Sequence, residues 1–302
     1  MTNKSKIRIG TRGSELALWQ ARHIAGLLGG ATEIVVIKTE GDEIQGPLND
    51  KGGKGLFVKA IEDALLAGRV DIAVHSLKDM PAELPPGLVI GAVPERVDPS
   101  DVVVTRWPSG AAAWGLESLA PGARVGTGSL RRICQLRALR PDLELVPMRG
   151  NVPTRLRRVA EGTCDAVVVA YAGMARLGRL EVPWTRLPII PAVGQGAIAV
   201  ECRGGEEALI ARIEHTPSRI AIDAERAFLA KLEGGCQVPI AGHATISGDT
   251  LQFEGLVGSL DGKQILRESG TGPSKDAAAI GRAAAERLLL RGAAAILKGC
   301  AR

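Results

Sequence analysis

Short apolar runs alternate with amphipathic stretches along the first two thirds of the chain. "KIRIGT" is strand-sized and passes through Arg12 and Gly13 to Ser14, a favourable helix N-cap. Ala17, Ala21, Ile24 and Leu28 follow at helical spacing. "EIVVIKT" predicts a second strand, and "GLFVKAIEDALLAG" a helix with Phe57, Ile61 and Leu65 on one face and Gly68 as its stop. "VDIAVHS" predicts a third strand opening into a polar loop, and the Pro- and Gly-rich "ELPPGLVIGAVPERVDPSD" marks a domain exit near residue 98.

The rhythm then returns. "ARVGTGS" predicts a strand and a helix from about Ser129, and "DLELVPMRGN" a strand followed by a helix from about Pro153. "CDAVVVAYAG" is apolar without interruption, as in a strand buried on both faces. A further strand is expected at 197–201. Strands alternating with helices predict parallel sheets with crossover helices. From about residue 217 the texture changes: a helix ending at the pair Gly234–Gly235, a β-meander with Gly-Asp and Asp-Gly turns, and one Ala-rich closing helix. The fold class predicted is α/β, two doubly wound domains with a smaller α+β domain at the C-terminus.

Composition adds limits. The 302 residues exceed what one hydrophobic core usually serves. Aromatic residues are only 3%, so Ala, Val, Leu and Ile must build the cores. No apolar run approaches the roughly 20 residues of a membrane span, and the polar N-terminus lacks a signal-peptide pattern, so a cytoplasmic location is expected. Five cysteines without Cys-x-x-Cys spacing argue against a disulfide framework and against a metal site. Cys134, Cys164 and Cys202 read as buried, inert thiols.

Charge changes the picture more. Residues 124–158 hold nine arginines, two acids and no lysine, a net +7 that leaves −2 for the rest of the chain. The block has no aromatic residue to stack on bases, so nucleic acid is not the expected partner. Forked guanidinium groups suit carboxylates held bidentately, and a small polyanion is the more economical ligand.

Five loops beside predicted helix starts carry candidate chemistry: "TRGS" with Arg12 and Ser14, "KGGKGLF" with Lys54, "HSLKDMP" with Lys78 and Asp79, "GTGSLRR" with Thr127, Ser129, Arg131 and Arg132, and "MRGNVPTRLRR" with Arg149 and Arg155. Helix N-termini disfavour cations, so arginines placed there point to an anion. Arg157 and Arg158 read as solvated charges. The remaining feature is "LEGGCQVPIAGHA". Its Cys236 is open to three readings: a nucleophile partnered by His243 or His75, a structural thiol, or the attachment point of a covalent prosthetic group.

In order, "TRGSELALWQA", "GGKGLF", "DIAVHSLKDMP", "GTGSLRR", "RGNVPTRL", "PAVGQGAIAVECR" and "LEGGCQVPIAGHA" resemble the motif series of the hydroxymethylbilane synthase (porphobilinogen deaminase) family, over roughly residues 7–300. The resemblance implies a transferase of tetrapyrrole biosynthesis. Such an enzyme condenses four porphobilinogen molecules head to tail, with loss of ammonia, on a dipyrromethane cofactor, and releases 1-hydroxymethylbilane. It implies a thioether to Cys236, Asp79 as the catalytic aspartate, and Lys78, Arg131, Arg132, Arg149 and Arg155 as binders of the acetate and propionate groups. Arg12, Ser14, Lys54, Thr127, Ser129 and Arg176 fall on surrounding cleft positions, and Gly128 stands where a second Ser is common. The implied fold is two periplasmic-binding-protein-like domains, one of residues 1–98 and 197–216 and one of 99–196, with an α+β domain of 217–302 carrying the cysteine. The protein is expected to act as a monomer. The rival readings are an anion-binding solute receptor or effector module, and a thiol hydrolase.

Overall fold

A computed structural model describes residues 6–39, 58–106, 115–233 and 238–300. Lys54 and Cys236 lie outside them. The chain forms two compact units, one of residues 1–96 and 197–219 and one of 97–196 and 220–302.

The first unit opens with β1 (Ile7–Thr11), α1 (Glu15–Leu28), β2 (Thr32–Val36), α2 (Lys59–Leu66), β3 (Ile72–Ser76) and β4 (Leu88–Ala92). The second begins with β5 (Asp101–Thr105), β6 (Arg124–Gly126), α3 (Leu130–Leu139), β7 (Glu144–Val146), α4 (Val152–Ala160), β8 (Ala166–Ala170), α5 (Tyr171–Arg176) and β9 (Trp184–Arg186). β10 (Ile198–Arg203) belongs to the first unit, and the boundary between units falls within α6 (Thr216–Lys231). β11 (Ile240–Ser247), β12 (Thr250–Gly258), β13 (Ile265–Pro273), α7 (Ala277–Leu290) and α8 (Ala293–Cys300) complete the second unit.

Each unit has a five-stranded sheet, in the orders β2-β1-β3-β10-β4 and β7-β6-β8-β5-β9. The arrangement is the same: a parallel trio, then an antiparallel strand, then an outer strand. The expectation of parallel sheets thus needs correction at β5 and β10. Neither continues a crossover helix of its own sheet; each follows a crossing of the chain from the other unit.

Helices cover both faces of the first sheet. α1 packs Ala21, Ile24 and Leu28 against Ile9, Val74 and Val200, while α2 packs Ile61, Ala64 and Leu65 against Val70 and Ala73 on the other side. In the second sheet Val103 and Val168 enter one core and Val102, Val104, Val167 and Val169 the other, which explains the unbroken apolar runs. Ser14 caps α1, its hydroxyl accepting from Ala17 N at 3.3 Å. Cys134, Cys164 and Cys202 are buried, and burial pushes the thiols of Cys134 and Cys202 up to about 12 and about 11.

The β-meander β11–β12–β13 is antiparallel and packs on α6, α7 and α8 around Phe228, Phe253 and Leu288. One closing helix was expected, but the chain forms two. Gly292 adopts φ 95° between them, a left-handed conformation that ends α7 after Leu290. α6 ends at Lys231, three residues before the Gly pair. Cys134 of α3 joins Ile190, Ala241 and Leu256 in a smaller core, so the Arg-bearing sheet and the meander pack together within the second unit.

Two helix-interior glycines make a paired test. Gly26 in α1 has open space where a side chain would begin, whereas a Cβ on Gly281 in α7 would overlap Ala224 O of α6. Gly26→Ala should stabilise the protein by about 0.5–1 kcal/mol, and Gly281→Ala should destabilise it by about 1–3 kcal/mol. Denaturant titration of both variants checks the opposite signs.

Candidate active site

Ligand sites in α/β sheets form where parallel strands end and helices begin. In the first unit the turn after β1 brings Arg12 and Ser14, and the 3-10 turn Leu77–Asp79 after β3 brings Lys78 and Asp79. Arg12, Ser14, Gln20, His75, Ser76 and Asp79 line one small pocket of about 70 Å³ at this edge. Gln20 and Ser76 fix each other, with Gln20 Nε2 donating to Ser76 Oγ at 2.9 Å. The pocket pairs a carboxylate with a guanidinium beside the capped start of α1.

The second sheet repeats the device. Thr127 and Ser129 follow β6, Arg149 follows β7, and Arg155 lies in the first turns of α4. Thr127 is buried, its Oγ1 accepting from Ser129 N at 3.3 Å, and the Ser129 hydroxyl makes no capping bond to α3. Arg149 is exposed. Arg155 Nε donates to Gly150 O at 2.8 Å, and Asn151 caps α4 by accepting from Thr154 N at 3.0 Å. Arg157 is solvated and pairs with Glu161 at 3.6 Å, as expected, but Arg158 turns inward, Nη1 donating to Arg149 O at 3.2 Å. Arg176 is buried on α5 and donates from Nη2 to Gly196 O at 2.8 Å. Desolvation pushes its guanidinium down to about 10.

Arg131 and Arg132 are buried, not solvent-facing, and share Asp101 at the start of β5. Arg131 Nη1 donates to Asp101 Oδ2 at 2.5 Å and Nη2 to Oδ1 at 3.1 Å; Arg132 Nε donates to Oδ1 at 2.9 Å. Gln195 Nε2 adds a bond to Oδ1 at 3.0 Å. Carbonyls complete the cage: Arg131 Nη1 donates to Ile190 O and Arg132 Nη1 to Val168 O, both at 2.8 Å. Burial alone would raise the Asp101 carboxyl, but Arg131 and Arg132 overcome it and hold it well below the usual carboxylate range. Two guanidinium groups against one carboxylate leave an excess positive charge, and the buried Arg131 Nε has no hydrogen-bond partner among the described residues. These residues fit a ligand carboxylate.

Sequence reasoning overlooked Asp101, Gln195 and Glu225. Asp101 was legible as a carboxylate heading the apolar run "DVVVT". Glu225 is wholly buried on α6 and accepts from Gly194 N at 2.7 Å and Ala244 N at 2.8 Å, tying β11 to the segment that carries Gln195. Nothing local in "DAERAF" signals that role.

Because Asp101 is more acidic folded than unfolded, its stabilisation is complete above the unfolded value of about 4 and is lost as pH falls below it. Asp101→Asn should cost about 3–5 kcal/mol at pH 7, since it strands two buried cations. The deficit should shrink on acidification toward pH 3, measured by urea unfolding of both proteins across that range.

Comparison with known proteins gives the family of the chain. The family description "Porphobilinogen deaminase, dipyromethane cofactor binding domain" matches residues 7–211, and "Porphobilinogen deaminase, C-terminal domain" matches 220–290. A porphobilinogen deaminase of Nitratidesulfovibrio vulgaris is 51% identical over 97% of this chain and 96% of its own length. One from Syntrophomonas wolfei is 50% identical over 96% and 97%. Among solved structures, the Bordetella pertussis BvgS VFT2 domain aligns over 70% of this chain and 88% of its own at 17% identity, with a TM-score of 0.41. With half its residues shared end to end with such relatives, and with both family descriptions matched in order, the chain belongs to the porphobilinogen deaminase family.

Proposed function

We infer that the chain is a hydroxymethylbilane synthase, a transferase of tetrapyrrole biosynthesis that joins four porphobilinogen molecules with loss of ammonia. Family membership along both parts of the chain carries this reading. The cofactor is dipyrromethane, which when bound supplies the free pyrrole α-carbon to which porphobilinogen is added. Cys236 is its attachment point by a thioether, preceded in the sequence by the pair Gly234–Gly235.

Asp79 is the catalytic residue. Its place after β3, in a pocket with Arg12 and Ser14, suits a carboxylate that accepts hydrogen bonds from pyrrole N–H groups and steadies positive charge on the rings. Lys78, Arg131, Arg132, Arg149 and Arg155 bind acetate and propionate groups, with Arg12, Ser14, Lys54, Thr127, Ser129 and Arg176 around them. The caged guanidiniums of Arg131 and Arg132 are the best supported of these. They are already desolvated and held in place by Asp101, so their excess positive charge attracts a ligand carboxylate without new ordering of the side chains. Residues 1–98 with 197–216, 99–196 and 217–302 act as catalytic, carboxylate-binding and cofactor-bearing parts.

No helix among the described residues is long and apolar enough to cross a membrane. We take the protein to be a cytoplasmic monomer that uses no nucleic acid, the last supported by the lack of any aromatic residue to stack on bases in the arginine-rich block 124–158.

Intact-mass measurement under denaturing conditions should find the chain heavier by two linked pyrrole units, and Cys236→Ser should remove both the excess mass and turnover. Asp79→Asn should keep the excess mass but slow elongation by about 100-fold or more, measured as product formed per minute. Near-normal turnover in Asp79→Asn would refute its role. Truncating Arg149 or Arg155 to Ala should each weaken substrate use by about 1.5–3 kcal/mol if its pair is desolvated, read from kcat/KM.

A further inference from the structure

The face of the first sheet beneath α2 buries three ionisable side chains, Glu62, His75 and Glu201, beside Arg203 of β10, which donates from Nη1 to Leu65 O and Val70 O at 2.5 and 3.0 Å and pairs with Glu206. The core of this face is Ile61, Ala64, Leu65, Val70, Ala73 and Leu88. His75 lies two residues after Ala73 on β3, and Glu201 of β10 stands opposite Ala73, so both share that face. Glu62 comes from α2, and all three side chains are buried. His75 Nε2 lies 3.2 Å from Glu201 Oε2. The remaining Glu201 oxygen, Oε1, and Glu62 Oε1 have no hydrogen-bond partner among the described residues.

Such a cluster is costly, and apolar side chains of similar size usually serve stability better. Burial, and then the charge of Glu201, push the Glu62 carboxyl up to about 7; His75 opposes this and Asp63 adds to it. Two neighbouring buried carboxylates cannot both ionise freely. Burial and the neighbouring Glu201 therefore favour a protonated Glu62 carboxyl up to about neutral pH. Among the described residues, no group of three His, Cys, Asp or Glu side chains is arranged to hold a metal ion, so metal binding does not account for it. His75 is the member that also lines the pocket, with Asp79 and Arg12.

Resting on the activity assigned above, we propose that Glu62, Glu201 and His75 are a proton store behind Asp79, with His75 as its outlet to the substrate. Joining one porphobilinogen breaks its C–N bond to the amine, forms one C–C bond and breaks the C–H bond at the accepting α-carbon. The C–H electron pair returns to the pyrrole ring, and no electrons pass to an outside acceptor. His75 takes the released proton, with Glu201 orienting the ring and balancing the imidazolium, and Glu62 sets how readily the pair holds it. The ammonia set free when the C–N bond breaks takes up a proton from the cluster and leaves as ammonium, and the α-carbon proton released later replaces it, so the cluster is unchanged after each addition.

The test uses the cofactor-loaded enzyme and three variants, His75→Gln, Glu62→Gln and Glu62→Leu, each checked by intact mass. His75→Gln should lower kcat tenfold or more with KM within about twofold. Glu62→Gln should move the pH-dependent limb of kcat near pH 7 by one pH unit or more. Thermal unfolding supplies a readout independent of turnover. Glu62 has a higher pKa folded than unfolded, so wild-type Tm should fall as pH rises from about 4.3 to about 7. That slope should flatten in Glu62→Gln and Glu62→Leu. Wild-type kcat and pH profiles in His75→Gln and Glu62→Gln would overturn the proposal while leaving the assigned activity intact. If His75→Gln does not fold, the kcat profile of Glu62→Leu decides in the same way. Absence of tetrapyrrole from the wild-type protein would instead count against the activity itself.

Discussion

Two guanidinium groups buried side by side repel each other unless an anion lies between them. Asp101 is that anion, and much of the second unit is arranged around it. β5 presents it and α3 brings Arg131 and Arg132 to it. Gln195 reaches it from the segment after Ile190, while the Ile190 and Val168 carbonyls take up further guanidinium protons. Broken at one member, this network leaves an uncompensated charge in a low-dielectric interior, the most destabilising defect open to a core. Intact, it holds both guanidinium groups in one arrangement, the entropy of ordering their long side chains being spent on folding.

The two sheets use this logic to different ends. In the second unit, opposite charges meet and their mutual attraction sets the protonation state. In the first, Glu62 and Glu201 are like charges buried on one face, and burial raises the Glu62 carboxyl instead of lowering it. Positions that look equivalent in strand order therefore have opposite electrostatic character: a carboxyl held low between two cations in one sheet and a carboxyl pushed up by burial in the other.

Much of the fold was legible because period and caps agreed. Ser14 and Asn151 cap the helices that follow them, and the turns at Gly248 and Gly262 join the meander strands. Direction was not legible, since an apolar run such as "DVVVT" reads the same whichever way it pairs, and β5 and β10 proved antiparallel. The break at Gly292 was hidden within an Ala-rich stretch whose composition favours helix on both sides. The site loops were readable from their arginines and helix starts, but the groups that hold those arginines were not. Asp101, Gln195 and Glu201 are distant in sequence from what they touch, and only the paired strands bring them there. A carboxylate inside "AIAVECR" was nonetheless a visible anomaly, because a charge within a buried strand demands a partner.

Glu225 gives the second unit a dependence on chain completion. Its carboxylate accepts from Gly194 N, thirty-one residues earlier, and from Ala244 N, nineteen residues later. A ribosome that has released residue 231 has made all of α6 but not the second of these donors. The residues between that helix and β11 include Cys236. The last strands and helices to be synthesised then close the core around Phe228, so a chain released before Ala244 lacks both that core and the second bond to Glu225.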